Sequence, residues 1–261
     1  MENRVERKKA KIIIAVILIF FVLAFGIRMI LAPSSAGKTE KIDKSVVKAG
    51  VQELQNLADR DITAVKEKVK VVERTERLAQ IQAGNFNVIF DDAVIMGDSH
   101  AEGFSVYGFL NSARVAAVKG KNLKYCQDHV QQAINLNPSQ VFMTYGMNDM
   151  IIYQSNVSGF IEQYTSVANQ LKTALPDAQI YISSVIPAGS QAIARKPGLA
   201  YTAEYNAALQ AMCQQNGFTF VNVTPLFNAG YYEPDYIHTN KEFHRVWLNA
   251  MADAAGLLNV W

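Results

Sequence analysis

From Phe86 onward the sequence alternates between short apolar runs and longer amphipathic stretches, and this alternation limits the fold more than any other feature. Residues 93–96, 114–118, 141–145, 179–185 and 219–223 are strand-length and rich in Val, Ile, Ala, Phe and Met. Such runs suit strands covered on both faces. Between them, residues 103–110, 123–135, 158–175, 201–216 and 241–258 have helical spacing of apolar positions. Asn137-Pro138 and Pro176-Asp177 mark two helix-to-strand turns. Repeated strand–helix units give a doubly wound parallel sheet. In such a sheet, ligands bind beyond the carboxyl ends of the strands. The polar residues that follow each strand therefore carry the functional information.

After the first strand comes Gly97-Asp98-Ser99-His100, after the second Lys119-Gly120-Lys121-Asn122, and after the third Gly146-Met147-Asn148-Asp149. Before the last helix comes Asp235-Tyr236-Ile237-His238. Together these residues form an inventory for acyl transfer. A serine hydroxyl is a weak nucleophile until a base takes its proton. His238 can be that base for Ser99, and Asp235 can fix its tautomer and stabilise the imidazolium. The Ser99 and Gly120 N–H groups and the Asn148 amide can face a developing oxyanion, an arrangement worth ~3–4 kcal/mol per donor.

These same blocks carry a family resemblance. From about Asp91 to Leu258 the chain resembles the SGNH/GDSL hydrolases: Gly97-Asp98-Ser99 for the first block, Gly120 for the second, Gly146-x-Asn148-Asp149 for the third and Asp235-x-x-His238 for the fifth. The resemblance implies a three-layer α/β/α sandwich with a five-stranded parallel sheet in the flavodoxin-like order 2-1-3-4-5. It also implies metal-free, cofactor-free ester hydrolysis, with Ser99, Asp235 and His238 as the triad and Ser99, Gly120 and Asn148 as the oxyanion hole. The chain departs from the family pattern at His100, where the family name has leucine. It departs again at Tyr236, where glycine often follows the aspartate, and that bears on the shape of the loop.

Other residues have plainer readings. Asp98 is expected to hold its turn by local hydrogen bonds, and Ser99 taken alone would read as a helix N-cap. His100, adjacent to Ser99, is the lesser alternative base, because neighbouring residues at a helix start point apart. His129 is expected to be exposed on a polar helix, and His244 to be structural or at the surface. Cys126 and Cys213 fall on the second and fourth helices of this domain, separated by the third, and are expected to be buried free thiols. Asn156-Val157-Ser158 and Asn222-Val223-Thr224 match glycosylation sequons. The second lies in an expected buried strand and reads as chance. Arg195 and Lys196, with Tyr231, Tyr232 and Tyr236, either hold a sugar ring or anionic polymer or serve as a mobile loop and ordinary packing.

The N-terminal third has a different character. Residues 12–32 are apolar apart from Arg28, and as a helix would span about 31 Å, close to a ~30 Å hydrocarbon core. Arg4, Arg7, Lys8, Lys9 and Lys11 precede this stretch and Pro33 ends it. The positive-inside rule then puts residues 1–11 in the cytoplasm and the remainder outside. A cleaved signal peptide, with Ser34-Ser35-Ala36 as its cleavage site, is the competing reading. Residues 33–85 contain Val47, Val51, Leu54 and Ala58, then Ile62, Val65, Val69 and Val72, at helical spacing with a jump in register between the two sets. They read as one or two amphipathic helices, serving as a stalk or packed on the next domain. A dimerisation helix is the secondary reading. Residues 86–261 then form the hydrolase domain.

Charge follows the same division. The net charge of +2 combines +4 over residues 1–33 with −2 over residues 34–261, and residues 86–261 alone carry −4. A mildly acidic domain is not a nucleic-acid binder on bulk electrostatics. The expected function is a membrane-anchored, extracytoplasmic serine esterase that removes O-acetyl groups from cell-wall or exported polysaccharide. The alternatives are an O-acetyltransferase working with a membrane acyltransferase partner, and a non-catalytic envelope scaffold.

Overall fold

The structure is a computed structural model that describes residues 44–258. The expected transmembrane helix, residues 12–32, lies outside them. Among the described residues no helix is long and apolar enough to cross a membrane. The chain divides into two compact units, Met1–Ala64 and Val65–Trp261. Helix α1, Lys44–Gln82, is a single continuous element where the sequence allowed one or two. It contains no proline to break its hydrogen bonds. It stops at Gln82, two residues before Gly84, whose φ of 70° favours glycine.

A short helix α2 (Phe86–Ile89) leads into the α/β alternation. The strands are β1 (Ala93–Gly97), β2 (Val115–Ala117), β3 (Gln140–Met143), β4 (Gln179–Ser183) and β5 (Thr219–Val221). The helices between and after them are α3 (Ser99–Val106), α4 (Gln127–Leu136), α5 (Met147–Tyr153), α6 (Val157–Ala174), α7 (Ser190–Arg195), α8 (Thr202–Asn216) and α9 (Lys241–Ala254). All pairings are parallel and the order is β2-β1-β3-β4-β5, as the resemblance implied.

Strand residues alternate between two apolar layers. Val94, Met96, Val141, Met143, Ile180 and Ile182 pack with α4, α6 and α8. Ala93, Ile95, Phe142, Tyr181 and Val221 face α2, α3 and α9. This two-sided burial is why the strands read as nearly continuous apolar runs. Asparagines punctuate the helices. Asn156 and Asn240 accept backbone N–H groups at the starts of α6 and α9. Asn137 ends α4 in the left-handed region at φ 44°.

Cys126 and Cys213 are free and buried, as expected, and burial pushes their thiols up to about 11 and about 12. Two expectations fail here. His129 is buried, with its Nδ1 2.7 Å from the Tyr145 hydroxyl; burial lowers its pKa. Its polar sequence neighbours suggested exposure, but the partner comes from beyond β3. Asn222 is exposed, because β5 ends one residue before it; its Oδ1 accepts the Thr224 N–H.

Candidate active site

Ser99 is the first residue of α3, immediately beyond the carboxyl end of β1. The N-cap is Asp98, not Ser99: Asp98 Oδ1 accepts the His100 N–H at 3.0 Å. The cap therefore fixes the turn, as expected of Asp98, and leaves the Ser99 hydroxyl free for other work. The helix begins four residues earlier than the sequence suggested, and ends before Gly108, at φ 76°.

The Ser99 Oγ lies 2.9 Å from His238 Nε2, and His238 Nδ1 lies 2.5 Å from Asp235 Oδ2. Three residues separated by 139 positions in sequence thus form one hydrogen-bonded chain. Asp235 Oδ1 also accepts the N–H groups of Ile237 and His238, both at 2.9 Å. Burial acts to raise the Asp235 carboxyl. The His238 side chain and the two N–H groups outweigh it and hold the group down at about 2. Tyr236, between them, has φ 61°. It adopts the conformation that a glycine would supply, so this departure from the family pattern is absorbed without opening the loop.

The Asp235–His238 loop is pinned from the segment after β4. Arg195 donates to the Asp235 carbonyl at 2.7 Å, Gly189 N–H to the Tyr236 carbonyl at 2.8 Å, and the Tyr232 hydroxyl to the Pro187 carbonyl at 2.9 Å. Gly189 is required: a Cβ there would lie 2.9 Å from the Tyr236 Cβ. Tyr231 and Tyr232 pack on Phe227, and Tyr231 also on Phe243. Arg195, Tyr231 and Tyr232 thus have partners within the protein, and Tyr236 stays exposed.

Gly120 sits in the turn after β2 at φ 83°, and its N–H has no partner among the described residues. The Ser99 N–H, in the first turn of α3, is also unpartnered. Asn148, second residue of α5, uses one Nδ2 hydrogen on the Lys121 carbonyl at 2.9 Å. That bond ties the Gly120 turn to α5 and leaves the second amide hydrogen available. Asp149 is buried, and its Oδ1 accepts the Leu123 N–H at 3.0 Å. Gly146, at φ 146°, has no room for a side chain: a Cβ would come within 2.2 Å of Val185 Cγ2.

Beneath the serine lies a small cavity lined by Asp98, His100, Thr144, Ser184 and Trp247, among others. The sequence did not reveal this polar bed. Asp98 Oδ2 and both His100 ring nitrogens are buried without partners. Burial, with help from Asp149, pushes Asp98 up to about 7; burial alone does the same to Asp149, also to about 7. The His100 ring stacks on the His238 ring at 5.5 Å. Ser99 and His100 do diverge from the backbone, but they meet the same histidine from different sides. Burial, then His238 and His244, lowers His100 to about 3, so it is neutral. His244 is buried and structural, with Nε2 2.9 Å from the His100 carbonyl. Among the described residues no group of three or more His, Cys, Asp or Glu residues is arranged to hold a metal ion.

A parallel α/β sheet with a serine, a histidine and an aspartate hydrogen-bonded at its carboxyl edge is the geometry of a serine hydrolase of three-layer fold. The model of the GDSL-like lipase/acylhydrolase family matches residues 95–246, more than half of the sequence, and the chain belongs to that family. Solved structures share the fold. A Bacteroides fragilis protein described as an acylhydrolase aligns with a TM-score of 0.54 and 19% identity, over 64% of this chain and 88% of its own. A Streptococcus pneumonia protein described as a platelet activating factor aligns at 0.52 and 16%, over 79% and 98%. A GDSL-like lipase from Bacteroides thetaiotaomicron aligns at 0.50 and 19%, over 63% and 86%. At these identities the likeness is one of fold. A search of curated proteins finds no match.

Proposed function

We propose that this ester hydrolase is a serine esterase that removes O-acetyl groups from cell-wall or exported polysaccharide, held at the outer face of a membrane by residues 12–32. The single observation that carries the esterase chemistry is the continuous chain from Ser99 Oγ through His238 to Asp235. The outward location rests on the apolar stretch and the basic residues before it.

In this reading His238 Nε2 takes the Ser99 proton as Oγ attacks the ester carbonyl carbon. Asp235 holds the Nδ1–H tautomer and faces the imidazolium that forms. The carbonyl oxygen, now negative, receives the unpartnered N–H groups of Ser99 and Gly120 and the second amide hydrogen of Asn148. The imidazolium then gives its proton to the sugar oxygen, which leaves as the alcohol. Water attacks the acetyl-serine with His238 again as base, releasing acetate and restoring Ser99.

The purified full chain should hydrolyse p-nitrophenyl acetate and release acetate from O-acetylated polysaccharide, and Ser99→Ala should abolish both. Equal rates for wild type and Ser99→Ala would end the esterase reading. Faster transfer to a glycan acceptor than to water would redirect it to acetyl transfer, with a membrane acyltransferase as donor partner. Protease accessibility in intact cells tests the location, and protection of the hydrolase domain from added protease refutes it.

A further inference from the structure

Helix α1 presents an apolar stripe to solvent. Val47, Val51, Leu54, Ile62, Val65, Val69 and Val72 are all exposed, each by 48% or more. At about 100° per residue these positions fall within an arc of roughly 80° on one helix face. The stripe runs about 38 Å along the axis at ~1.5 Å per residue.

The jump in register between Leu54 and Ile62 explains this alignment. Steps of three and four alone repeat every seven residues and drift around a straight helix. The step of eight, with Ala58 midway in the sequence, makes Val51 to Ile62 an eleven-residue unit, which drifts the other way. The two drifts offset one another, so the stripe stays on one face over about seven turns. What looked like a broken coiled-coil pattern is one unbroken seam.

We infer that this seam pairs with the same seam of a second copy of the chain, as a parallel two-stranded coiled coil. Valine and leucine in such a seam pack as knobs into holes. Ile62 and Val69 occupy a positions and Val65 and Val72 d positions. In a parallel pair the residue before each a position faces the partner residue five places further on. Lys68 then meets a Glu73. The sequence repeats this relation seven residues earlier with Asp61 and Lys66, the signs exchanged. These complementary flanks set the register, and the direction rests on the proposed function: two copies held in one membrane by residues 12–32 must run parallel.

The full chain in detergent should sediment as a dimer, and Val65→Asp with Val69→Asp should halve that mass without changing the thermal melt of the hydrolase domain. Val65→Cys should form an intermolecular disulfide under mild oxidation at least tenfold faster than Lys70→Cys, on the opposite face. Dimeric mass with fast Val65→Cys cross-linking supports the parallel pair. A monomeric wild type, or equal cross-linking at both positions, overturns it. So does a monomer whose Val65→Cys thiol is shielded from maleimide only when phospholipid is added, which assigns the seam to a bilayer surface.

Discussion

Asp98 offers the sharpest test of how the site is built. Its carboxyl is fully buried, with one oxygen capping α3, and burial outweighs the His100 and Asn148 N–H groups that favour its charged form, so its pKa rises from the usual 3.8 to about 7. An acid raised on folding binds its proton more tightly in the folded state. Stability from this group is therefore greatest at low pH, falls as pH rises above the unfolded value near 3.8, and is fully lost above 7. A shift of about three units corresponds to about 4 kcal/mol at ~1.4 kcal/mol per unit. Between pH 5 and pH 8 alone the loss is between about 2 and 3 kcal/mol. Asp98→Asn keeps the cap acceptor and removes the ionisation. Urea unfolding of wild type and variant at half-unit steps of pH provides the assay. The stability of Asp98→Asn relative to wild type should grow by that 2–3 kcal/mol from pH 5 to pH 8. Taking the difference is essential, because buried histidines tilt the wild-type curve the other way below pH 6.5. Parallel curves across this range would falsify the argument, since they require Asp98 to titrate alike folded and unfolded.

Three further outcomes follow from named contacts. His100→Phe should flatten the loss of stability below pH 6.5, because a histidine held neutral down to about 3 lets only the unfolded chain gain a proton there; an unchanged acid slope in urea titrations counts against it. Asp235→Asn should lower kcat/KM by about 10³–10⁴ through the wrong His238 tautomer, while the Tm stays within a few degrees, since its amide oxygen can still accept from Ile237 and His238. Gly146→Ala should destabilise by about 2–4 kcal/mol through φ strain and the contact with Val185; adding Val185→Ala should recover part of that loss, and no recovery in calorimetry would place the fault elsewhere.

The strand ends were legible because each polar block follows an apolar run, and parallel topology then gathers such blocks on one rim. The approach of Ser99 to His238 follows from that, while the strand order came from the family resemblance. Helix starts were less legible. Gly103 looked like the start of α3, because Gly97-Asp98-Ser99 read as loop; only the Asp98 cap reveals that the helix begins at Ser99. His129 misled for a related reason: it meets Tyr145 across the fold, and that partner lies beyond the reach of a local pattern. Asn222 read as buried because Val221 and Val223 flank it, yet the strand stops at Val221.

The buried acids under the site make sense as anchors. Asp149 accepts the Leu123 N–H and Asn148 donates to the Lys121 carbonyl, so two neighbours on α5 hold both ends of the short segment after Gly120. Asp98 holds the start of α3, and Arg195 with Gly189 holds the Asp235–His238 loop. No site loop relies on its own backbone alone; each is tied to a loop from another strand or to a capped helix. An apolar residue at 98 or 149 would avoid the desolvation of a carboxyl but leave the buried His100 or Leu123 N–H without its acceptor. It would also release the turn that places Ser99 or the segment that carries Gly120. Displacements of about 1 Å in such a site lower rates by about 10²-fold. A few kcal/mol of stability is therefore the smaller loss, and the raised carboxyls at 98 and 149 mark where this fold gives up stability for position.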